Sequence, residues 1–435
     1  MNAMPLARRL VFVCAMVLTA CGSIPPVAPG PEDALDRQSQ LMEALDGAPL
    51  LAGNHIDILR DGAETFPAMF RAIAGARDHV NLEFYILQDV RAPNMADSLF
   101  TLLAAKLRQG VAVTMLYDSF GSHATPNEAW AELRRLGANV LEFNPIDPTQ
   151  ARRGWLPNNR DHRKILVVDG RVAFMGGVNL DKVYENDCHG PSTGFTGADD
   201  NDDPERACWR DTSFRIEGPA VAELQTLFLH NWQAQGGEAL PPRQWFPPLA
   251  ARGPARVRIL GSAPTAGEPR YYLTLTAALQ GARQRIWLST GFFVPTHDER
   301  EELQRAARRG VDVRLVLPAW NDSPAALAAG HAAYDDLLQA GVKIFEMHGA
   351  ILHSKLAVVD GAWAAIGSSN LDRRSVALND EVDAIVLGRE TAAAVEAVLT
   401  ADMREGTAVS LAEWRRRGLG KRLRELSSRL VIDLL

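Results

Sequence analysis

The sequence of 435 residues lacks long apolar stretches and lacks an excess of basic residues. Beyond its first 21 residues, no run approaches the roughly eighteen apolar residues that a membrane-spanning helix needs. The formal net charge of −7 argues against a general nucleic-acid binder, because phosphate contacts demand a basic surface, although a local basic groove remains open. The composition, 47% hydrophobic and 23% charged, is ordinary for a globular protein and argues against disorder.

The N-terminal residues have the features of a secretory signal. Arg8 and Arg9 precede an apolar run, Leu10 to Ala20, which is too short to span a bilayer stably. Leu18-Thr19-Ala20-Cys21 resembles a bacterial lipoprotein box, in which the cysteine is lipidated and becomes the first residue of the mature protein. Gly22 favours the outer membrane within that pattern. We therefore expect a lipid-anchored protein of the bacterial cell envelope that faces the periplasm; an ordinary signal peptide or an uncleaved anchor is the alternative.

Cysteine is scarce, with four in the chain. Cys14 lies within the predicted signal and Cys21 is the predicted lipidation site, which leaves Cys188 and Cys208 to pair. In an oxidising periplasm these two can form a disulfide, worth roughly 3 kcal/mol for a loop of this size on the chain-entropy model.

A motif of His-x-Lys, four further residues and Asp-Gly occurs twice, and the rest of the chain is organised around it. The first copy consists of His162, Lys164 and Asp169-Gly170, and the second of His353, Lys355 and Asp360-Gly361. Small residues follow at matching offsets, Gly176-Gly177-Val178-Asn179 and Gly367-Ser368-Ser369-Asn370, so that seventeen positions separate His from Asn in each copy. A duplicated set of this length in the same phase is very improbable by chance.

Each copy predicts a strand that ends in a tight turn. Side chains alternate between the two faces of a strand, so the His and the Lys of each copy point the same way. The β-branched residues after the lysine lead into Asp-Gly, which predicts a hairpin with return strands at Arg171–Phe174 and Ala362–Ile366. Because Asp169 and Asp360 lie at the turn, their position favours a structural role, although the motif includes them in the candidate catalytic set.

Strands and helices alternate around both motifs. The strand candidates are Val80–Ile86, Gly110–Tyr117 and Asn139–Phe143 in the first half, and Arg285–Thr290, Gly310–Leu317 and Val342–Phe345 in the second. Amphipathic segments separate them, and paired prolines and glycines at 235–256 mark the connection between the halves. This alternation, repeated over a long period, predicts duplicated α/β layers.

The duplicated motif resembles that of the phospholipase D superfamily, and the resemblance covers most of the chain beyond about residue 50. The residues from His162 to Asn179, and Trp209-Arg210-Asp211 leading into Arg215–Pro219, are most similar to the cardiolipin synthase branch. The resemblance implies an α/β fold of two similar domains, each a mixed sheet flanked by helices, related by a pseudo-twofold axis. The chain then divides into a signal (1–21), a tether (22–40), a first domain (41–240), a linker (241–256), a second domain (257–410) and a basic amphipathic tail (411–435).

The resemblance also implies roles for the residues of the motif. His162 would be the nucleophile that forms a phosphohistidine and His353 the general acid and base, and an unperturbed pKa near 6.5 suits both roles at neutral pH. Lys164 and Lys355 would supply positive charge for the phosphate oxygens. No metal or other cofactor is expected, because the motifs have Lys where metal sites usually have carboxylates or Cys.

Further positions match the family pattern. The implied phosphate-binding residues are Asn179, Asn370, Gly177 and Ser368, and the implied acidic residues are Asp211 and Glu381. Each acidic residue is expected to orient the histidine of its own half and to fix its tautomer. The alternative for Asp211 is a salt bridge with Arg210 or Arg215, and Phe292 stands where relatives often have Tyr.

The implied reaction transfers a phosphatidyl group from phosphatidylglycerol to a second phospholipid, which makes cardiolipin and free glycerol. With water as the acceptor the same site would be a phospholipase D or a periplasmic nuclease, and the acidic balance and the anchor argue against the nuclease. A non-catalytic lipid-binding protein is disfavoured because both motifs are complete. We expect phospholipid substrates, contact with a membrane surface through the lipid anchor, no nucleic-acid partner, and an active site for which a monomer suffices.

Three segments outside the motifs have open interpretations. The insertion Pro145–Asn159 leads into the first motif, and its residues Arg152, Arg153 and Trp155 suit either a phospholipid head group or a neutral surface loop. The acidic run 199–203 favours a solvated loop over a calcium site, because Pro204 stands where a calcium loop needs its glycine. The tail from Trp414 to Ile432 suits either an anionic membrane surface or packing on the protein body.

Overall fold

A computed structural model describes residues 43, 47–152, 155–185, 188, 207–264 and 269–418. The predicted signal, the lipidation site Cys21, the tether, Arg153, the acidic run 199–203 and the tail beyond residue 418 lie outside the described residues. Within those ranges, no helix combines the length and the apolar character that crossing a lipid bilayer requires.

The first half begins with a long strand and then alternates helices with strands. Its elements are β1 (Leu51–Arg60), α1 (Asp61–Gly75), β2 (His79–Phe84), α2 (Leu99–Arg108), β3 (Ala112–Asp118), α3 (Asn127–Arg135), β4 (Asn139–Phe143), β5 (Arg160–Asp161), β6 (Lys164–Val168), β7 (Val172–Gly176), β8 (Trp209–Arg210), β9 (Thr212–Glu217) and α4 (Val221–Ala234). Short 3₁₀ helices at Pro148–Gln150 and Lys182–Glu185 lie in its loops.

The second half repeats this order of elements. They are β10 (Ala255–Ser262), α5 (Arg270–Gly281), β11 (Arg285–Ser289), α6 (His297–Arg308), β12 (Asp312–Pro318), α7 (Pro324–Ala340), β13 (Lys343–Met347), β14 (Ile351–Leu352), β15 (Leu356–Val359), β16 (Trp363–Gly367), α8 (Arg373–Ala377), β17 (Asn379–Leu387), α9 (Arg389–Glu405), β18 (Thr407–Ala408) and α10 (Leu411–Arg415). Local signals set the helix ends: Thr296 and Glu299 form a capping box at the start of α6, and α7 stops at Gly341, whose φ is 100°.

The strand order is the same in the two halves. It is β4-β3-β2-β6-β7-β9-β1 in the first and β13-β12-β11-β15-β16-β17-β10 in the second, where β18 extends the outer edge. The three outer strands of each order are parallel, and the hairpin strands beside them are antiparallel. An antiparallel pairing of β1 with β10 joins the two orders into one sheet. The prediction of a duplicated mixed α/β fold is confirmed.

The motif strands β6 and β15 are apolar without alternation because both of their faces are buried. Ile165 and Val167 of β6 lie in a core that both halves share, whereas Leu166 and Val168 lie in the core of the first half. In β15 the neighbouring residues likewise divide between the shared core and the core of the second half. The two halves therefore pack against each other through the apolar strands that follow the two histidines.

The predicted strands are present, with small shifts at their ends; the third strand of the first half, Asn139–Phe143, has the predicted bounds. The four strands nearest the junction were not predicted: β1, β9, β10 and β17. Strand β10 begins at Ala255, inside the predicted linker, and β17 opens with Asn379-Asp380-Glu381. Polar residues obscure the apolar pattern of these strands: Asn379, Asp380 and Glu381 of β17 are buried near the active site, whereas His55 and Asp57 of β1 face solvent.

Asp169 and Asp360 hold the turns at the far ends of the motif strands. The carboxylate of Asp169 accepts the backbone N–H groups of residues 77–79 at 2.8–3.2 Å, and that of Asp360 accepts those of residues 283–285 at 2.7–3.0 Å. Their φ angles of 51° and 52° lie in the left-handed region that Asp tolerates better than most residues. This geometry supports the structural interpretation of both residues.

The remaining cysteines and the start of the tail are tied to the protein body. Cys188 and Cys208 form a disulfide with Cα atoms 5.1 Å apart. Trp414 of α10 is buried and its ring stacks on Tyr334 at a centroid distance of 4.6 Å. The described start of the tail therefore packs on the body, which was one of its two predicted arrangements.

We predict that Asp169→Ala lowers the free energy of unfolding by about 2–4 kcal/mol, because three backbone N–H groups lose their acceptor and Ala disfavours the positive φ. Asp169→Asn keeps one side-chain oxygen and tolerates this φ, so it should lose less. Urea unfolding of both variants measures the difference. Turnover per folded molecule should be unchanged, and loss of turnover in folded Asp169→Asn protein would instead assign the residue to catalysis.

Candidate active site

The two halves exchange short strand pairs next to the motifs. Strand β5 pairs in parallel with the start of β17, and β14 pairs in parallel with β8. The backbone N–H of His162 donates to Asp380 O at 2.8 Å, and that of His353 donates to Arg210 O at 2.8 Å. Each histidine is therefore held by the opposite half, and both imidazoles line one cavity.

Each imidazole is bonded to a buried carboxylate of the opposite half. His162 Nδ1 lies 2.9 Å from Glu381 Oε2, and His353 Nδ1 lies 2.8 Å from Asp211 Oδ2. The prediction that each carboxylate orients the histidine of its own half is wrong, because β8 and β17 run beside the residues that precede the other histidine. A proton on Nδ1 directed at the carboxylate leaves Nε2 for a substrate phosphorus.

The two carboxylates are held by different neighbours. Glu381 accepts hydrogen bonds from Ser368 Oγ at 2.5 Å and from Asn379 Nδ2 at 3.2 Å. Asp211 accepts one from its neighbour's backbone N–H at 2.7 Å and one from the Tyr184 hydroxyl at 2.9 Å. The Tyr184 oxygen also lies 3.0 Å from His353 Nδ1. The hydrogen-bond donors to the two carboxylates therefore differ, although the motifs themselves are duplicated.

Gly177 and Ser368, predicted to bind phosphate, contact the carboxylates, and neither of these described residues lines the cavity. A Cβ atom at Gly177 would lie 2.0 Å from Asp211 Oδ1, so only glycine leaves room for that carboxylate. Ser368 stands at the matching position and donates to Glu381. The small residues after each motif therefore serve the carboxylate that orients the histidine.

Lys164 and Lys355 are buried beside the histidines of their own motifs. Lys164 Nζ donates to His162 O at 2.6 Å, and Lys355 Nζ donates to His353 O and lies 2.9 Å from His353 Nδ1. The predicted common face of His and Lys is thus present. Burial and the charges of both lysines lower the pKa of His162. The charge of Lys355, which belongs to the other motif, therefore also acts on His162. Both ammonium groups can stabilise negative charge on a phosphate at the same place.

Asn179 and Asn370 occupy equivalent positions at the cavity wall. Asn179 Oδ1 accepts the backbone N–H of Ile86 at 3.3 Å, and Asn370 Oδ1 accepts that of Phe292 at 3.3 Å. Because each amide is fixed by its oxygen, the Nδ2 group of Asn370 and the second N–H of Asn179, whose amide also hydrogen-bonds Tyr184, can donate to a bound anion. This geometry supports the phosphate-binding role that the sequence predicted for both residues.

Burial and positive charge set the protonation of the histidines. Burial and Lys355 lower the pKa of His353 to about 3, and burial with both lysines holds the pKa of His162 well below its usual range. The expectation of unperturbed histidines is therefore wrong, and both imidazoles are neutral at pH 7. Burial also lowers the pKa of Lys164 to about 7 and that of Lys355 to about 8.

The two carboxyl groups differ in charge. Burial raises the pKa of Glu381 to about 7. Burial acts in the same direction on Asp211, but Lys355 and the hydrogen bond from His353 outweigh it and hold the pKa of Asp211 below its usual range. At neutral pH His353 therefore faces a fully ionised carboxylate, whereas His162 faces one that is partly protonated.

The remaining cavity wall includes aromatic, charged and amide side chains that the motif spacing did not reveal. They are Tyr85, Tyr184, Trp209, Phe292, Arg160, Arg374, Asp181, Asp322, Asp372 and Asn379, together with the aliphatic side chains of Ile86 and Val183. Trp209 was visible only as the residue two positions before Asp211, and no spacing marked Tyr184 or Arg374. In the described part of the chain, no group of three or more His, Cys, Asp or Glu side chains is placed to hold a metal ion.

No described residue of the insertion before the first motif lines the cavity. Arg160, directly after the insertion, lines the cavity. Arg152 instead donates to Glu142 O at 2.9 Å, and Trp155 Nε1 donates to Pro145 O at 2.8 Å. The head-group interpretation of Arg152 and Trp155 is therefore wrong, because their polar groups bind the backbone.

Comparison with known proteins agrees with this geometry. The family model described as "Cardiolipin synthase, PLD-like domain" matches residues 69–188 and 275–403. A cardiolipin synthase of Geobacillus kaustophilus (strain HTA426) is 34% identical over 392 residues, which cover 89% of this chain and 74% of the relative. Cardiolipin synthase A of Pseudomonas syringae pv. syringae (strain B728a) is 35% identical over 376 residues, with 86% and 73% covered. The crystal structure of phosphatidylserine synthase from Haemophilus influenzae Rd KW20 shares the fold, with a TM-score of 0.62 at 15% identity, 92% of this chain and 100% of that chain being covered.

We predict that Tyr184→Phe shifts the pH profile of turnover. Without the hydroxyl, Asp211 attracts the proton of His353 more strongly, so the pKa of His353 rises and the limb that it governs moves to higher pH. We expect kcat to fall about tenfold, which is less than the whole contribution of general acid–base catalysis, because His353 itself remains. KM should be nearly unchanged. Steady-state kinetics from pH 5 to pH 9 measure both.

Tyr117→Phe is the matched control for that variant, because Tyr117 is a buried tyrosine that stacks on Trp130 at 4.2 Å, outside the site. Its pH profile should coincide with that of the wild type. A Tyr184→Phe profile that also coincides with the wild type would contradict a positioning role for the hydroxyl.

Proposed function

Because the chain belongs to the cardiolipin synthase family of phospholipase D-like proteins, we propose that it is a phosphatidyltransferase of the cardiolipin synthase type. It transfers a phosphatidyl group from phosphatidylglycerol to the hydroxyl of a second phospholipid. The observation that carries this function is the pair of imidazoles in one cavity, each oriented by a buried carboxylate of the opposite half.

We further propose that His162 is the nucleophile. Burial raises the pKa of its carboxyl partner Glu381 to about 7, so Glu381 is partly protonated at neutral pH and holds a proton on the imidazole less strongly than a fully ionised carboxylate would. His353 faces Asp211, which stays ionised and favours the imidazolium form. An anionic substrate offsets the lysine charges that lower the pKa of both histidines, and His353 then gains a proton more readily than His162. This division of roles agrees with the one that the family resemblance implied.

The proposed reaction has two displacements at phosphorus. His162 Nε2 attacks and forms an N–P bond while the bond from phosphorus to the glycerol oxygen breaks, and the His353 imidazolium gives its proton to that oxygen. In the second step, neutral His353 takes the proton of the acceptor hydroxyl, whose oxygen forms a new bond to phosphorus as the N–P bond breaks. The products are cardiolipin and free glycerol, and both histidines return to their initial state.

The cations and amides stabilise the charge that builds on the phosphate oxygens. Lys164 and Lys355 provide positive charge in a buried setting, where its effect is larger than in water. Asn179 and Asn370 approach from equivalent positions in the two halves. With water as the acceptor the same groups would perform phospholipase D hydrolysis, so the identity of the acceptor decides between the two names.

We propose that the enzyme acts as a monomer at the periplasmic face of a bacterial membrane. Both motifs and both carboxylates come from one chain, so one copy contains the whole site. The lipoprotein-like sequence ending in Cys21 supports a lipid anchor, and the Cys188–Cys208 disulfide suits an oxidising compartment. Gly22 favours the outer membrane.

The purified protein should convert phosphatidylglycerol in mixed micelles into cardiolipin and glycerol in equal amounts, as measured by thin-layer chromatography and a glycerol assay. His162→Ala should make neither product. Phosphatidic acid without cardiolipin would make water the acceptor and the protein a phospholipase D. Absence of any lipid product from the folded wild type would contradict the phosphatidyltransferase.

A substrate with a good leaving group tests which histidine attacks. Phosphatidyl-p-nitrophenol needs no acid to release its phenolate, so His353→Ala should still form the N–P bond at His162 and release one equivalent of p-nitrophenol. It should then stall, because no base activates the acceptor. His162→Ala should release no burst. A burst from His162→Ala, with none from His353→Ala, would reverse the assignment, and mass spectrometry of the trapped peptide locates the phosphatidyl group.

A further inference from the structure

Large apolar side chains are exposed on two loops that leave the sheet at the edge where the active site lies. Phe120 follows β3 and is 57% exposed, while Ile146 and Leu156 follow β4 and are 53% and 47% exposed. Single exposed apolar residues are ordinary, whereas a group of them on one surface marks a contact site. We call these three residues the apolar rim.

Hydrogen bonds join the two loops, so the rim is one surface. The backbone N–H of Ile146 donates to Ser119 Oγ at 2.9 Å, which fixes it beside the residue that precedes Phe120. Asn144 Nδ2 donates to Leu156 O at 3.2 Å and folds the second loop back on its own start.

The apolar rim borders the cavity on its His162 side. Gly121, next to Phe120, packs on Tyr85: a Cβ atom there would lie 2.2 Å from Tyr85 O. Arg160 donates to Pro157 O, next to Leu156, and Arg374 donates to Asn158 O at 3.0 Å. Tyr85, Arg160 and Arg374 all line the cavity. Each rim loop is thus bonded or packed directly against a residue of the active-site wall.

The topology explains this position. The carboxyl ends of the parallel strands β2, β3 and β4 lie at one edge of the sheet, and antiparallel β6 begins there with Lys164 opposite Phe84. The loops after β3 and β4 therefore emerge beside His162. The other exposed large apolar residues described are Phe246 and Leu273, and Phe246 follows Trp245, whose carbonyl lies at Gly170 in the hairpin turn at the opposite edge.

The charge beside the rim suits an anionic surface. Arg374 is partly exposed, and its guanidinium bonds only to Asn158 among the described residues, with no carboxylate within 4.0 Å there. The acidic residue of the rim loops, Asp147, accepts hydrogen bonds from Thr149 and Gln150 of its own loop. A cation at the cavity mouth next to apolar side chains is the composition that interfacial membrane binding uses.

We propose that the apolar rim inserts into the surface of the anionic lipid bilayer that holds the substrate. This insertion places the opening of the active-site cavity against the bilayer. The proposal rests on the proposed function, because a phospholipid must bring its phosphate to His162 while its acyl chains stay in the bilayer. Phe120, Ile146 and Leu156 enter the acyl boundary, and Arg374 faces the lipid phosphates. The insertion Pro145–Asn159 then serves membrane contact and not head-group recognition.

The test uses the full chain and compares two forms of one substrate. F120S/I146S/L156S is assayed on phosphatidylglycerol vesicles and on a short-chain phosphatidylglycerol kept below its critical micelle concentration. We expect turnover on vesicles to fall about tenfold or more and turnover of the monomeric lipid to remain near that of the wild type, because only the bilayer contact is removed. The control F246S removes a side chain that is 53% exposed at the opposite edge of the sheet, and it should keep both activities.

Three outcomes would overturn the proposal. They are an equal loss on both substrates, no loss on vesicles, and a change in oligomeric state on size-exclusion chromatography, which would assign the rim to a second copy of the chain. If the wild type turns over neither lipid, the proposed function fails. Amide hydrogen exchange then tests membrane contact of the rim independently of turnover. Vesicles should slow exchange at residues 119–125 and 145–152 but not at 244–249, and unchanged exchange at the rim would exclude insertion.

Discussion

The structure depends on a carboxylate from one half reaching the histidine of the other. Glu381 and Asp211 are fully buried, and a buried carboxylate is costly unless its oxygens are bonded. Each finds an imidazole Nδ1 across the seam, at 2.9 and 2.8 Å. The site is therefore assembled only when the halves are docked. Within the first half, Gly177 leaves the space that Asp211 needs, since even one methyl group there would displace this carboxylate.

Buried ion pairs fix the relative position of the halves. Arg163 lies 3.6 Å from Asp380 and 3.2 Å from Glu83, and Arg210 lies 3.6 Å from Asp402 and 2.5 Å from Glu405. In both clusters an arginine of the first half binds an acid of the second, Asp380 in one and Asp402 with the half-exposed Glu405 in the other, whereas Glu83 belongs to the first half itself. Such pairs add little net stability, but loss of one partner leaves a buried charge that costs about 3–5 kcal/mol, so they select one docking geometry.

Duplication supplies equal positions for the two histidines, and the residues behind them make the positions unequal. Glu381 is held by Ser368 and is partly protonated at neutral pH, whereas Asp211 is held by Tyr184 and stays ionised. A symmetric fold can therefore divide nucleophile and acid–base roles without altering the motif itself. The exposed apolar loops are likewise a feature of the first half, beside the proposed nucleophile.

The family resemblance implied that His162, His353, Asn179 and Asn370 converge, and the sequence by itself determined the duplicated α/β fold and the strands next to the motifs. The fold and the strands depend on short spacings, such as the two-position step from His to Lys or the Asp-Gly turn, and local backbone geometry relates such spacings directly to structure. Only the tertiary structure decided which carboxylate serves which histidine, because those partners are 219 and 142 residues apart. It also decided the pKa values, since burial shifts them. The contacts of Gly177, Ser368 and Tyr184 with the two carboxylates likewise appear only in the tertiary structure, since no sequence periodicity specifies which side chains pack against each other.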